Sequence, residues 1–339
     1  MIEWDIYTKD CGQQLWDSSL LQASDHNIFQ SYKWGALKQT EGWLPVRCIA
    51  RNKETVVMMV QILFKTFPLH IHIGWAPGGP CIYFPKSKHN ESDKILKTLF
   101  VELTNKIGKK IHIRFYCTSA NSPELAYKFN RVFVRPFYKI NSGFSVVLDM
   151  SYSMGDLMQK MTSKHRYYVK KSLSEDITWE NKTCVNSMNN LFKIYNKMAE
   201  KKQLKKSIKT ERELVKMCST LDNYINILEG CQNNKVITSC LILSFGDKAF
   251  YLLAVTSEEG RTISASYAMI YRLFDYLKSR NITELDFGGI APASIAAEGV
   301  DHFKKGFGGK MIEYLGEWEW SSSEWLRLAF NILMKIKNI

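Results

Sequence analysis

The 339-residue sequence has no CxxC pair, although it holds eight cysteines, at positions 11, 48, 81, 117, 184, 218, 231 and 240. Cys48, Cys231 and Cys240 sit inside apolar, strand-like runs. That spacing argues against a zinc ribbon or a disulfide framework and implies buried, reduced thiols in a cytosolic protein. The seven histidines form no HExxH or other metal spacing, so no metal is expected. No P-loop, no GxSxG elbow and no Rossmann glycine fingerprint after a first strand is present, which sets aside three common enzyme classes. No apolar run approaches the ~18 residues of a spanning helix. The opening residues, Met1-Ile2-Glu3-Trp4-Asp5, place no basic segment before an apolar run, so no secretory signal is expected.

What is present is a large potential core. Hydrophobic residues make up 45% and aromatic residues 13%, which excludes wholesale disorder. The length suits two domains. Lys and Arg number 46 against 33 Asp and Glu, a net charge of +13. That excess favours an anionic partner: nucleic acid, a nucleotide-linked substrate or an acidic membrane face.

Periodicity and turn signals give an α/β chain in two halves. The first reads as a short strand, two helices (the second capped by Ser31), a three-strand meander ending near Trp75, and the loop Ala76-Pro77-Gly78-Gly79-Pro80. An amphipathic helix over 92–107 and a strand over 110–116 follow. The second half repeats that order: helices to about Leu221, strands 224–231, 236–245 and 249–255, a helix over 266–279, and a strand over 285–287. The element order argues for two copies of one module, over 1–149 and 150–316, with 317–339 packing back on the first. A last strand over 311–318 leads to a C-terminal helix from Ser322 to about Asn338. Trp325, Leu326, Phe330, Leu333 and Met334 lie near one side of it; that helix either packs on the core or lies in a membrane interface.

The candidate chemistry centres on Leu285-Asp286-Phe287-Gly288-Gly289-Ile290 and on Phe303-Lys304-Lys305-Gly306-Phe307-Gly308-Gly309. Glycines at a strand end admit a close backbone or ligand. Phe303 and Phe307, four apart, can anchor one face of a helical turn and fix Lys304 beside it. A fixed lysine suits a phosphate or a developing oxyanion, and equally a solvated turn. Arg166 and Lys170 share a helical face in Lys164-His165-Arg166-Tyr167-Tyr168-Val169-Lys170, suited to a diphosphate or to solvent. Lys38, four residues after Trp34, has the same two readings. Five lysines between 201 and 209 read as a solvated face or an RNA-backbone contact. Ile263-Ser264-Ala265-Ser266 stands where a pyrophosphate-binding loop of a coenzyme A enzyme would be, and it has no glycine.

These segments, with Phe29-Gln30-Ser31, Trp34, Lys38, Gly42-Trp43, Gly78-Gly79-Pro80, Phe250-Tyr251-Leu252 and Tyr267-Ala268-Met269, resemble the Fem family of peptidoglycan-bridge aminoacyltransferases. The resemblance implies two tandem GNAT-like (acetyltransferase-like) domains, each a mixed, mainly antiparallel sheet flanked by helices. It implies transfer of an aminoacyl group from charged tRNA to an amine of a UDP- or lipid-linked muramyl peptide. No cofactor is expected beyond that donor. By the same resemblance Lys38 and Arg166, with Trp34, Lys170 and Gly79 nearby, hold the precursor. Tyr251 and Tyr267 line the substrate cleft, and Lys304 stabilises the tetrahedral intermediate. The expected protein is a cytoplasmic monomer, with peripheral contact at the inner membrane face. Gly78 stands where the family has arginine, and Tyr116-Cys117 where it has Asp-Pro. A second reading is therefore an N-acyltransferase acting on a nucleotide- or lipid-linked amino sugar, with acyl-CoA as donor.

Overall fold

The computed structural model describes residues 2–83, 92–201, 210–294 and 297–336. Two units are compact in themselves: Met1–Phe144 with Glu313–Ile339, and Ser145–Ile312.

The first unit begins with β1 (Ile2–Tyr7), α1 (Gln13–Leu20) and α2 (Tyr32–Thr40). Ser31 caps α2 by accepting a hydrogen bond from Trp34 N at 3.2 Å. Then come β2 (Leu44–Asn52), β3 (Thr55–Phe67), β4 (Ile71–Pro77), the short β5 (Cys81–Ile82), α3 (Ser92–Lys106), β6 (Lys110–Ala120) and α4 (Pro123–Asn130). β1 to β4 pair antiparallel in sequence order. The crossover through α3 brings β6 parallel to β4. Ile95, Leu96, Leu99, Phe100 and Leu103 of α3 bury against the sheet with Ile62, Phe64, Ile113 and Phe115.

The second unit contains β7 (Phe144–Asp149), α5 (Met154–Lys160), α6 (Ser163–Leu173), β8 (Thr178–Asn181), α7 (Val185–Lys201) and α8 (Glu211–Leu221). It continues with β9 (Ile225–Gln232), β10 (Lys235–Phe245), β11 (Lys248–Thr256), α9 (Glu258–Thr262), α10 (Ala265–Ser279), β12 (Glu284–Ile290) and α11 (Glu298–Lys305). Strands β8 to β11 are antiparallel neighbours. The β9–β10 turn places Asn233 and Asn234 at φ 51° and 58°, the left-handed pair that a tight hairpin demands. After α10, β12 returns parallel to β11, and β7 lies beside β12. β13 (Lys310–Ser321) then runs on into the first unit, where Tyr314 to Ser321 pair antiparallel with β6. α12 (Glu324–Ile336) follows.

Each unit is a mixed, mainly antiparallel sheet with helices against it, the α/β architecture read from the sequence. Three details differ. Cys231, placed in an apolar run by pattern, is only half-buried, because it sits next to the β9–β10 turn. Residues 202–209 of the lysine-rich run lie outside the described residues. The side of α12 expected to face the core is turned: Trp325 and Leu333 are exposed. Asn331 is buried instead, donating to Glu319 Oε2 at 3.0 Å and accepting from Phe137 N at 3.3 Å. Those bonds set the helix's rotation, since a buried amide must be satisfied.

Candidate active site

The parallel pair β11–β12 holds for only three residues, from Lys248–Glu284 to Phe250–Asp286. Beyond that point β12 continues through Phe287, Gly288 and Gly289. Gly288 has φ 75°, and a Cβ there would stand 3.2 Å from the Tyr251 carbonyl oxygen and 3.9 Å from Lys304 Nζ. Only glycine sits there without strain.

Lys304 reaches this point from α11. Its ammonium donates to the carbonyls of Gly288 (3.2 Å) and Gly289 (2.7 Å), which uses two of its three N–H groups. Burial lowers its pKa from the ordinary lysine value, while the Asp286 and Asp301 carboxylates act against that shift. Neither acid is hydrogen-bonded to the lysine. Asp286 accepts from Gly288 N at 2.7 Å and from the Ser145 hydroxyl. Asp301 accepts from Ala291 N at 3.0 Å. The cation is therefore seated on backbone carbonyls in partly desolvated surroundings, where its charge acts more strongly than in water.

The residue before it, Phe303, is held by His165. That ring is buried, with Nδ1 2.8 Å from the Thr162 hydroxyl and Nε2 3.1 Å from the Phe303 carbonyl. Facing a carbonyl, Nε2 must carry the proton, so Nδ1 accepts from Thr162. Burial, chiefly, holds the His165 pKa below the ordinary value, in keeping with this neutral tautomer. Its ring centroid is 4.9 Å from Phe307 and 5.1 Å from Tyr267. A Cβ on Gly306 would fall 1.9 Å from His165 Cε1. The sequence pattern put Phe303 and Phe307 on one helical turn. In fact α11 stops at Lys305, and fully buried Phe307 lies in the turn after it, 5.0 Å from Phe303.

Tyr251 and Tyr267 both join this group. Tyr251 is buried 5.7 Å from Phe287, and desolvation pushes its phenol well above the usual range, so it stays neutral. Half-buried Tyr267 lies 5.2 Å from Phe303 and 5.0 Å from Tyr168. Arg166 and Lys170 follow His165 on α6. Arg166 Nη1 donates to the carbonyls of Gln159 and Met161, and Lys170 is exposed. Trp34, Lys38 and Gly79 belong to the other unit. There Lys38 pairs with Glu41 at 2.8 Å and lies 5.0 Å from the Trp34 ring, and Gly79 accepts from Cys117 Sγ at 3.1 Å. Sequence reasoning did not single out His165. A histidine flanked by Lys164 and Arg166, opposite a glycine between two aromatic positions, was the available signal.

The sequence model of the FemAB family matches residues 171–335. The lipid II:glycine glycyltransferase of Staphylococcus saprophyticus is 25% identical over 133 residues, 37% of this chain and 32% of that protein. The alignment thus spans about a third of the relative's length. Among solved structures, FemX matches with a TM-score of 0.80 and 15% identity, over 96% of this chain and 100% of FemX. A tandem GNAT protein from the clavulanic acid biosynthesis pathway matches at 0.55 and 8% identity, over 95% and 99% of the two chains. The resemblance to the Fem family and the tandem GNAT-like fold read from the sequence are both borne out.

Proposed function

We propose that the protein is an N-acyltransferase that moves an aminoacyl group from a charged tRNA to an amine of a UDP- or lipid-linked muramyl peptide, building a peptidoglycan cross-bridge. The observation that carries this reading is Lys304, a partly desolvated ammonium seated on the Gly288 and Gly289 carbonyls. The relative named as a lipid II:glycine glycyltransferase supports the same class of acceptor and donor group.

The amine nitrogen attacks the ester carbonyl carbon, and the π pair moves onto the carbonyl oxygen. The third N–H of Lys304 stabilises that oxyanion, an effect preorganised by its two carbonyl partners. Collapse breaks the bond to the ribose oxygen, which takes the proton shed by the attacking amine, directly or through a water. Asp286 and Asp301 accept backbone N–H groups, and both His165 nitrogens are engaged. None of the three acts as a dedicated base, so positioning supplies much of the rate. Tyr251 and Tyr267 wall the acyl site, and Arg166 and Lys170 of the same unit take phosphates of the precursor; Lys38, Trp34 and Gly79 are the precursor-binding residues proposed for the first unit. The charged tRNA and the precursor are the partners, and the enzyme acts as a monomer in the cytoplasm. Helix α10 opens on Ser264 and Ala265, with no glycine-lined turn for a pyrophosphate. That favours the tRNA ester over acyl-CoA as donor.

The test offers purified protein total tRNA charged with labelled amino acids and UDP-linked muramyl pentapeptide. A parallel reaction holds acetyl-CoA and UDP-amino sugars. Label passing from tRNA to the pentapeptide is the expected result. Label passing only from the CoA donor to an amino sugar contradicts it.

A further inference from the structure

The outward side of α12 has the wrong chemistry for water. Its exposed positions include 325, 329, 332, 333 and 336, spaced as one helical stripe. They hold Trp325 (82% exposed), Ala329, Ile332 (58%), Leu333 (55%) and Ile336 (71%). Two polar side chains, Asn331 and Arg327, point the other way, while Glu324 and Lys335 are exposed. Asn331 is 2% exposed, and Arg327 lies over Phe137 at 4.7 Å while paired with Glu324. The segment beside it, Phe137-Tyr138-Lys139-Ile140, is exposed throughout and is tied to α12 by the Phe137–Asn331 bond. A lone surface leucine needs no explanation, but a contiguous stripe of this size does.

We infer that this face of α12, with Phe137 to Ile140, docks on the interfacial layer of an anionic lipid bilayer. The composition of this face favours lipid over a second copy. A tryptophan stands at one end, with Tyr138 alongside, the residues that prefer the headgroup level. Exposed Lys139 and Lys335 edge the apolar stripe, where long side chains reach anionic headgroups. The chain's net charge of +13 adds long-range attraction. Among the described residues no helix is long and apolar enough to cross a membrane, so the helix would lie along the surface.

The inference stands apart from the acyl-transfer reading, and its test needs no substrate. The full chain is sedimented with vesicles of phosphatidylglycerol and phosphatidylcholine, and with phosphatidylcholine alone. Binding is expected on the anionic vesicles, with Trp325 fluorescence quenched by brominated acyl chains. The triple variant Trp325→Ser, Ile332→Ser, Leu333→Ser should lose binding by on the order of 10²-fold. It should keep the wild-type melting temperature, because all three side chains are already exposed. Wild-type protein that ignores both vesicles overturns the inference. So does a concentration-dependent dimer that the triple variant abolishes, which would assign the stripe to a second copy.

Discussion

Both units carry a Gly-Gly step at the end of a strand in a parallel pair, and the two steps are used differently. In the first unit, β4 and β6 stay in register for seven pairs, from Ile71–Lys110 to Pro77–Tyr116. Neutral side chains cross-link the Gly78-Gly79 step that follows. Gln30 donates to the Pro77 carbonyl at 2.8 Å, Asn27 to Gly78 at 2.8 Å, and Cys117 to Gly79 at 3.1 Å. In the second unit the pair holds for three residues, and the Gly288 and Gly289 carbonyls receive a lysine ammonium. Carbonyls satisfied by neutral amide and thiol donors make scaffold. Carbonyls that seat a cation with a donor to spare make a place for chemistry.

The largest expected effect tests the charged step. Lys304→Ala should lower single-turnover transfer by on the order of 10²-fold, about 3 kcal/mol of barrier. Equilibrium binding of each substrate should change only a few-fold, because the oxyanion forms after binding. The neutral step should respond in the opposite currency. Gln30 is fully buried and also accepts from Gln61 N at 2.6 Å. Gln30→Leu strands the Pro77 carbonyl and the Gln61 N–H, and should cost about 1–3 kcal/mol of unfolding free energy. Denaturant titration measures that loss, while the single-turnover rate of the folded variant should stay within about 3-fold.

Buried charge in the first unit should likewise appear as stability. Arg114 lies 3.3 Å from Glu317 and 3.4 Å from Glu319. Burial, then the charges of Arg114 and Arg327, push the His112 pKa down to about 3. Its 3.9 Å approach to Glu319 therefore joins a neutral ring to a carboxylate, and no hydrogen bond forms there. Unfolded, His112 takes a proton below about pH 6.5, which the fold refuses until about pH 3. Its share of stability is whole above the unfolded value and drains as pH falls through that window. The slope is at most ~1.4 kcal/mol per pH unit. Glu319, raised by burial, works in the reverse sense. The stability advantage of wild type over His112→Gln should be largest above about pH 6.5 and shrink as pH falls towards about 3, as measured by urea unfolding across the series.

Much of this was legible in the sequence because it is local. The Ser31 cap, the Asn233-Asn234 turn and the inward face of α3 follow from neighbours in the chain. So did Lys304 as the residue to watch, since glycines and phenylalanines bracket it. The remainder depends on distant partners. Where β11 and β12 part is a matter of register, which no single strand encodes. His165 acquires its role from the Phe303 carbonyl 138 positions away. The rotation of α12 hangs on one amide, Asn331, finding Glu319. An apolar pattern alone shows which faces are greasy, not which one a buried polar group will pull inward.

The most direct test of the central claim is the pH dependence of single-turnover transfer, corrected for spontaneous ester hydrolysis, in wild type and Lys304→Arg. Burial lowers the Lys304 pKa, so the charged form is lost as pH rises. Wild-type transfer should therefore fall along an alkaline limb set below the ordinary lysine range. Lys304→Arg, which keeps its charge, should retain partial activity and lose that limb. An identical limb in both proteins, or none in the wild type, would contradict a catalytic role for the Lys304 ammonium.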